Sequence, residues 1–177
     1  MYFSELKRAM EWLAEKDDTL FLGQAVNVPG TAMSNTLVDI APEKLIELPV
    51  AEDMQMGMTI GLAMENYFPI TIFPRWNFLL LATNQLVNHL DKIASMSVGA
   101  YQPRTIVRTS VGAQRPLHPQ HQHVGDFSES FRLILKNIDI VKLEEPEEIV
   151  PAYQRAYKRE DGRATIMVEY GDYYNEK

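Results

Sequence analysis

Short apolar runs and amphipathic stretches alternate along the chain from one end to the other. In residues 4–16, Leu6, Met10 and Leu13 recur at near-helical spacing among Glu and Lys, which predicts an amphipathic helix. Residues 19–23 are apolar up to a glycine, the pattern of a buried strand that enters a loop. The same reasoning predicts strands at residues 44–48, 68–73, 104–108, 138–143 and 164–168, and helices at 51–66, 78–96, 131–135 and 146–159.

This alternation of strands and helices predicts an α/β fold. We expect a mostly parallel, doubly wound sheet with helices on both faces, which gives three layers. One domain is expected over residues 1–177, without a further carboxyl-terminal domain. Ligands of such open sheets bind at the carboxyl ends of the strands. The loops after Leu48, Phe73, Thr109 and Val141 are therefore where chemistry is expected.

Composition and charge narrow the classes of function. The chain has 24 acidic and 17 basic residues and a formal charge of −7, which argues against nucleic acid and anionic membranes as partners. It has no cysteine, which excludes disulfides, thiolate metal sites and a cysteine nucleophile. The start of the chain lacks a signal-peptide pattern, and no apolar run has the length of a membrane span. We therefore expect a soluble protein of the cytoplasm.

The first candidate for chemistry is Glu52, which follows a predicted strand and opens a predicted helix. A carboxylate at that position also complements the helix dipole, a purely structural role. Gly57 and Gly61 lie four residues apart on the same helix, where each glycine costs about 1 kcal/mol relative to alanine. Two explanations stay open: this glycine face packs closely on the sheet, or it packs with the neighbouring methionines on a partner.

Two further clusters contain aromatic and histidine side chains. Trp76 and Phe78 lie where the third long strand crosses into the next helix. Aromatic residues are more often part of the core, but at the end of a strand they can stack on a flat heterocycle. His118, His121 and His123 share one loop. That loop has three interpretations: a metal site, a proton donor or acceptor near neutral pH, and a solvated polar loop.

Together and in this order, the clusters resemble the pyrimidine-binding domain of thiamine-diphosphate enzymes. The resemblance is strongest to the beta subunit of the decarboxylating component of 2-oxo acid dehydrogenases, and it extends from about residue 22 to residue 169. The residues that carry it are 47–52 with Gly57 and Gly61, 76–78 with 84–89, 92–99, 106–108, and Gly112 with 119–121.

The resemblance implies roles for four side chains. Glu52 would contact N1′ of the aminopyrimidine of thiamine diphosphate, where a shared proton favours the tautomer that can remove the C2 proton of the thiazolium. Phe78, with Trp76 beside it, would stack on the pyrimidine ring. His121 would line the substrate side of the cofactor and act there as a catalytic proton donor or acceptor. No metal ligand is expected within this chain.

The chain also departs from the family pattern in two respects. Gln24, in the segment Leu22-Gly23-Gln24, stands where the family usually has an acidic residue. The Gly-Asp-Gly motif with a downstream Asn, which binds diphosphate and magnesium in the companion domain, is missing from the sequence. The resemblance therefore implies a separate alpha-type subunit that holds the diphosphate and Mg²⁺. Homodimer pairing within a hetero-oligomer is expected, and the active site is complete only there.

The sequence thus predicts the pyrimidine-binding subunit of a split thiamine-diphosphate enzyme, with decarboxylation or dehydrogenation of a 2-oxo acid as the expected reaction. Ketol transfer of the transketolase type is the alternative reaction. Two alternatives belong to other classes: a non-catalytic interaction or regulatory module of the same fold, and a flavodoxin-like domain that binds metal through His118, His121 and His123.

Overall fold

Six parallel strands form the centre of the structure, a computed structural model that describes residues 1–176. The strands are β1 (Thr19–Gly23), β2 (Leu45–Glu47), β3 (Phe68–Phe73), β4 (Ile106–Val111), β5 (Ile138–Lys142) and β6 (Ala164–Tyr170). The α-helices are α1 (Tyr2–Ala14), α2 (Ala32–Asn35), α3 (Glu52–Met64), α4 (Trp76–Leu79), α5 (Ile93–Met96), α6 (Ser128–Ile134), α7 (Pro146–Lys158) and α8 (Tyr173–Glu176). Within the described residues, no helix is long and apolar enough to cross a membrane.

The strands lie in the order β2-β1-β3-β4-β6-β5, and every neighbouring pair is parallel. Phe21 of β1 pairs with Ile70 of β3, which in turn pairs with Ile106 of β4. The chain leaves β1 toward β2 and then returns past β1 to β3, so the direction of winding reverses between β1 and β3. The predicted doubly wound α/β fold is confirmed.

Side chains alternate between the two faces of the sheet and form two separate apolar cores. On one face, Ile70, Ile106 and Met167 pack with α1 and α7. On the other face, Val107 and Ile166 pack with α3, α4 and α6. All of β3 is buried, as expected for a strand covered on both sides. The central strands are therefore apolar throughout, and the predicted three layers are confirmed.

The predicted helical stretch over residues 78–96 is helical along most of its length, but it is not one continuous α-helix. That stretch is divided into α4, a 3₁₀ turn, a π-helix (Gln85–Leu90) and α5. Asp91 follows the π-helix and is buried, and its carboxylate accepts from the backbone N–H groups of Lys136 (2.9 Å) and Asn137 (2.7 Å). These bonds tie the segment to the loop before β5, so tertiary contacts contribute to its path, which helical periodicity does not reveal.

The segment between β1 and β2 contains α2, a helical turn that the hydrophobic pattern did not predict. Thr31 caps it: the Thr31 hydroxyl accepts from the backbone N–H of Ser34 (3.0 Å), and the Ser34 hydroxyl accepts from the backbone N–H of Thr31 (3.0 Å). This reciprocal pair is a capping box in which serine replaces the usual glutamate. The turn forms one wall of the cleft at the carboxyl edge of the sheet.

Candidate active site

A cleft opens at the carboxyl edge of the sheet, where the winding reverses between β1 and β3. Its volume is about 810 Å³, and the segments that follow β1, β3, β4 and β6 surround it. A shallow hollow adjoins it at the start of α3. Gln24, Pro74 and Phe78 line both the cleft and the hollow. Open parallel sheets bind ligands at such a reversal, so the cleft lies at the predicted edge.

Glu52 lies in the hollow as the first residue of α3. The chain just before it is fixed, because the Leu48 N–H donates to the Gly23 carbonyl oxygen (2.9 Å) at the end of β1. The Glu52 side chain is half-buried. Within residues 1–176 its carboxylate makes no hydrogen bond or ion pair with the protein. A carboxylate at the positive end of a helix, without a protein partner, is available to a ligand.

Gln55, one helical turn beyond Glu52, anchors this end of α3 to β3. Its side chain is buried, and its Nε2 donates to the Thr71 hydroxyl (2.8 Å) and to the Ile72 carbonyl (2.9 Å). Gly23 makes the close packing here feasible, since a Cβ at that residue would lie 2.5 Å from the Ile72 carbonyl oxygen. The position of Glu52 therefore depends on a buried hydrogen-bond pair that connects its helix to the central sheet.

The loop that carries Gln24 is held by Glu47 at the end of β2. The Glu47 carboxylate accepts from the backbone N–H groups of Ala25 (2.6 Å) and Asn27 (2.8 Å). Gln24 itself lines both cavities. The position at which the family usually has an acidic residue therefore contributes a neutral amide to the site.

The two aromatic candidates occupy different environments. Phe78 is half-buried and lines both the cleft and the hollow, so it shares the hollow with Glu52. Trp76 is completely buried, with its ring centre 5.1 Å from that of Phe131 and 6.4 Å from that of Phe127. Its role as a stacking residue does not fit this position, because a buried ring presents no face to a ligand. Trp76 is a core residue here, and the stacking role of Phe78 stays a prediction.

The histidine loop also differs from expectation. His121 is exposed, is not among the residues that line either cavity, and has its ring centre 6.4 Å from that of His118. Its predicted catalytic role stays a prediction. His123 lines the cleft, with its ring edge-on to Phe78 at 5.6 Å between centres. Across the described part of the chain, no three acidic or histidine side chains are placed to hold a metal ion.

Arg75 lines the cleft beside Phe78. Its Nη1 donates to the Pro74 carbonyl (2.7 Å) and lies 3.5 Å from the Ser110 hydroxyl, while its buried Nε has no acceptor. Gly112 brings the histidine loop close to this guanidinium. A Cβ at Gly112 would lie 2.0 Å from the His123 carbonyl oxygen and 2.9 Å from the Arg75 Nε.

A buried ion pair supports the far wall of the cleft. Arg108 of β4 donates through Nε and Nη2 to both carboxylate oxygens of Glu169 on β6, and neither side chain is exposed. Tyr153 (3.0 Å) and Tyr174 donate their hydroxyls to the same carboxylate, and Tyr174 lines the cleft. Burial opposes the charge on Arg108, but Glu169 raises its pKa above the ordinary value. Burial raises the pKa of both tyrosines well above the usual range.

Sequence reasoning missed Gln55, Arg75 and Tyr174, and it named His123 only as one of three histidines in a loop. Gln55 had a local signal, since a residue three positions after Glu52 lies on the same side of the helix. Arg75 stood inside the aromatic cluster, but nothing in its neighbours indicated that it lacks a carboxylate partner. Tyr174 carries no signal, because its place in the cleft depends on a carboxylate in another element.

Comparison with known proteins identifies the family. The family described as "Transketolase, pyrimidine binding domain" matches residues 2–174. The chain belongs to this family. Among curated proteins, the chain is similar to the "Pyruvate dehydrogenase E1 component subunit beta" of Gracilaria tenuistipitata var. liui, to which it is 30% identical over 126 residues. The subunit of the same name from Cyanidium caldarium is 28% identical over 123 residues.

The chain spans less than half the length of these two curated relatives. The two alignments cover 68% and 67% of the chain but 39% and 38% of the relatives. Among solved structures, "Split gene transketolase, inactive beta4 tetramer" superposes with a TM-score of 0.72, covering 94% of this chain and 50% of that one. At 14% identity this likeness demonstrates the shared fold alone.

Proposed function

We propose that this chain is the pyrimidine-binding half of a thiamine-diphosphate enzyme that acts on a 2-oxo acid. The observation that carries the proposal is the shared hollow of Glu52 and Phe78, in a member of the pyrimidine-binding family. A carboxylate without a protein partner and a half-exposed aromatic ring are the two groups that an aminopyrimidine ring needs, one at its nitrogen and one at its face.

The residues present fit the pyrimidine end of the cofactor. Glu52 would hold a proton at the ring nitrogen, and Phe78 would orient the ring by stacking. When bound, thiamine diphosphate supplies the carbon nucleophile that adds to a substrate carbonyl. Gln55 keeps the Glu52 carboxylate in place through its bonds to β3. His121 remains our proposal for proton transfer on the substrate side, which requires its exposed loop to be covered by a partner.

A partner subunit is part of the proposal because the hollow is too small to enclose a ring. Its volume is about 10 Å³, space for about one water molecule. We propose that the second wall comes from another polypeptide. We assign that wall, together with the diphosphate and Mg²⁺, to a separate alpha-type subunit. We place the complex in the cytoplasm.

The glycine face of α3 is a candidate surface for contact between two copies of this chain. Gly61 is exposed, a Cβ there would meet nothing within 4 Å, and Met54 and Met58 beside it are exposed as well. The explanation that this glycine face packs on the sheet therefore does not hold for Gly61. We propose that two copies pair through it within the hetero-oligomer. The tetrameric split transketolase, whose fold this chain shares, is consistent with such pairing.

Replacement of Glu52 by glutamine tests the central claim. In the complex reconstituted with its diphosphate-binding partner, we expect Glu52→Gln to lower kcat by about 10²-fold or more, because glutamine cannot exchange the proton. Asp53→Asn is the matched control: Asp53 is adjacent and exposed, and its carboxylate accepts from Gln85 (3.2 Å). We expect it to retain activity. Unchanged turnover in Glu52→Gln, with thermal unfolding as in the parent, would contradict the proposal.

Product analysis of the same complex separates the two candidate reactions. Release of carbon dioxide from a 2-oxo acid supports the proposed reaction. Transfer of a two-carbon unit between sugar phosphates would favour the transketolase alternative, which the structural likeness to a split transketolase keeps relevant. A complex that binds thiamine diphosphate without turning over either class of substrate would indicate a non-catalytic module.

A further inference from the structure

The 810 Å³ cleft beside Phe78 has a consistent electrostatic character. Arg75 is the only charged side chain among its lining residues, and none of them is aspartate or glutamate. The protein as a whole has a formal charge of −7, so a cleft that lacks carboxylates is not a consequence of composition. Its other polar groups are hydroxyls, amides and the His123 ring.

Arg75 has no charge partner among the described residues. Within residues 1–176 it forms no ion pair, and its Nη1 is directed at neutral oxygens of Pro74 and Ser110. Its Nε is out of contact with water and lacks an acceptor. A guanidinium that is partly desolvated without a counter-charge is costly unless a ligand supplies that charge.

Two carboxylates next to the lining residues of the cleft are already engaged, while Glu52 lies in the adjoining hollow and forms no ion pair with Arg75. Glu169, behind the Tyr174 wall, is paired with Arg108. Asp172 at the rim accepts from the backbone N–H groups of Gln114 (2.8 Å) and Arg115 (3.1 Å). Neither is therefore free to neutralise Arg75. A second buried polar atom without a partner, His123 Nδ1, belongs to the same cleft.

We propose that Arg75 binds an anionic oxygen group, a carboxylate or a phosphate, at the end of the substrate remote from the reacting carbonyl. A planar guanidinium matches either group through two parallel hydrogen bonds. The anionic group that Arg75 binds stays on the substrate throughout the reaction. A cation held on a departing carboxylate would stabilise the charged reactant more than the transition state, in which that charge is leaving. The assignment to substrate rests on the proposed function, whereas the anion site itself does not.

Binding to the full chain alone tests the anion site without any activity. With ¹⁵N-labelled arginine, the Nε–H signal of Arg75 is identified by its loss in Arg75→Met. We expect this signal to shift saturably with inorganic phosphate or with glutarate. In calorimetric titrations with the same anions, which need no arginine signal, we expect the affinity to fall about tenfold in Arg75→Met. Arg75→Lys keeps the charge and should retain part of the affinity. Arg115→Met, an exposed residue of the neighbouring loop, removes the same charge and should change the affinity less than twofold.

Kinetics of the reconstituted complex then test the remote position. We expect Arg75→Met to lower kcat/KM about tenfold more for a 2-oxo dicarboxylate than for a 2-oxo monocarboxylate. A selective loss with aldose phosphates would instead identify phosphate as the retained anion. Equal losses with the mono- and dicarboxylate would overturn the remote placement. An Arg75 signal that responds to neither phosphate nor glutarate would overturn the anion site, even in a fully active complex, whereas a responsive signal in an inactive complex would refute only the proposed reaction.

Discussion

Removal of Arg108 provides the most quantitative test of how this site is supported. The side chain is completely buried between β4 and β6, where it donates to both oxygens of Glu169 and to the Thr36 hydroxyl (2.8 Å). Arg108→Met keeps much of the volume and removes the charge. Glu169 is then left as a buried carboxylate with only the hydroxyls of Tyr153 and Tyr174 to stabilise it.

The expected loss follows from the cost of an unpaired buried charge. Removing one partner of a buried ion pair costs about 3–5 kcal/mol, a large share of the roughly 5–15 kcal/mol that holds a domain folded. At a denaturant sensitivity of about 2 kcal/mol per M, the urea midpoint should fall by roughly 2 M. Glu169→Gln added to Arg108→Met should recover part of this loss, because the amide oxygen still accepts from the tyrosines without a charge.

Urea unfolding of four proteins checks this reasoning: the parent, Arg108→Met, the double variant with Glu169→Gln, and Arg8→Met. Arg8 pairs with Glu5 on the surface of α1, so its loss should cost less than about 1 kcal/mol. The reasoning is refuted if Arg108→Met costs no more than Arg8→Met. It is also refuted if Glu169→Gln lowers the stability of Arg108→Met further, since an unpaired carboxylate would then not be the source of the loss.

Two further predictions concern the hollow and the tyrosines. Gln55→Leu should lower the free energy of unfolding by about 1–3 kcal/mol, because Thr71 and Ile72 each lose a buried donor; urea unfolding measures this. At high pH the fold should weaken. Burial raises the pKa of Tyr170 to about 12, so the folded state keeps a proton that the unfolded chain begins to release near its ordinary value of 10.0. Stability is complete below about pH 10 and falls as the pH rises toward about 12, which urea midpoints across that window record.

Each of these has its own control. Gln122→Leu, in the exposed histidine loop, removes an amide without removing a buried bond, and an equal effect of the two variants would contradict the role given to Gln55. For the alkaline window, Tyr170→Phe should flatten part of the loss. A urea midpoint that stays constant or rises between about pH 10 and 12 would contradict the linkage, as would a tyrosinate absorbance change at the ordinary pKa that the folded Tyr170→Phe variant lacks.

Much of the fold was legible in the sequence because its signals are local. The alternation of apolar runs and helical periodicity identified the strands near their observed positions and the parallel sheet that they form. The division of segment 78–96 could not be predicted in this way. Its apolar residues fit a single helix, yet the buried Asp91 binds the backbone ahead of β5, and the chain passes through a π-helix (Gln85–Leu90) to reach it.

The candidate site likewise contains residues whose positions the sequence predicted and others whose positions it did not. Glu52 was predictable because a residue directly between a strand and a helix lies at the carboxyl edge wherever the sheet is parallel. Which of Trp76 and Phe78 faces the cleft could not be predicted, because the two lie in one turn. Only packing against Phe127 and Phe131 places Trp76 in the core. Likewise, the path of the loop determines that His123 is the histidine that lies beside Phe78.

The sequence by itself determined the α/β class, the edge of the sheet at which the cleft opens, and the place of the Glu52 carboxylate at that edge. These follow from periodicity and from order along the chain. Only the tertiary structure decided that Arg75 lacks a counter-charge within residues 1–176 and that the hollow at Glu52 shares Phe78 with the cleft. Both are relations between elements distant in sequence, and no local pattern records which charges meet, or which surfaces stay uncovered, once the strands are paired.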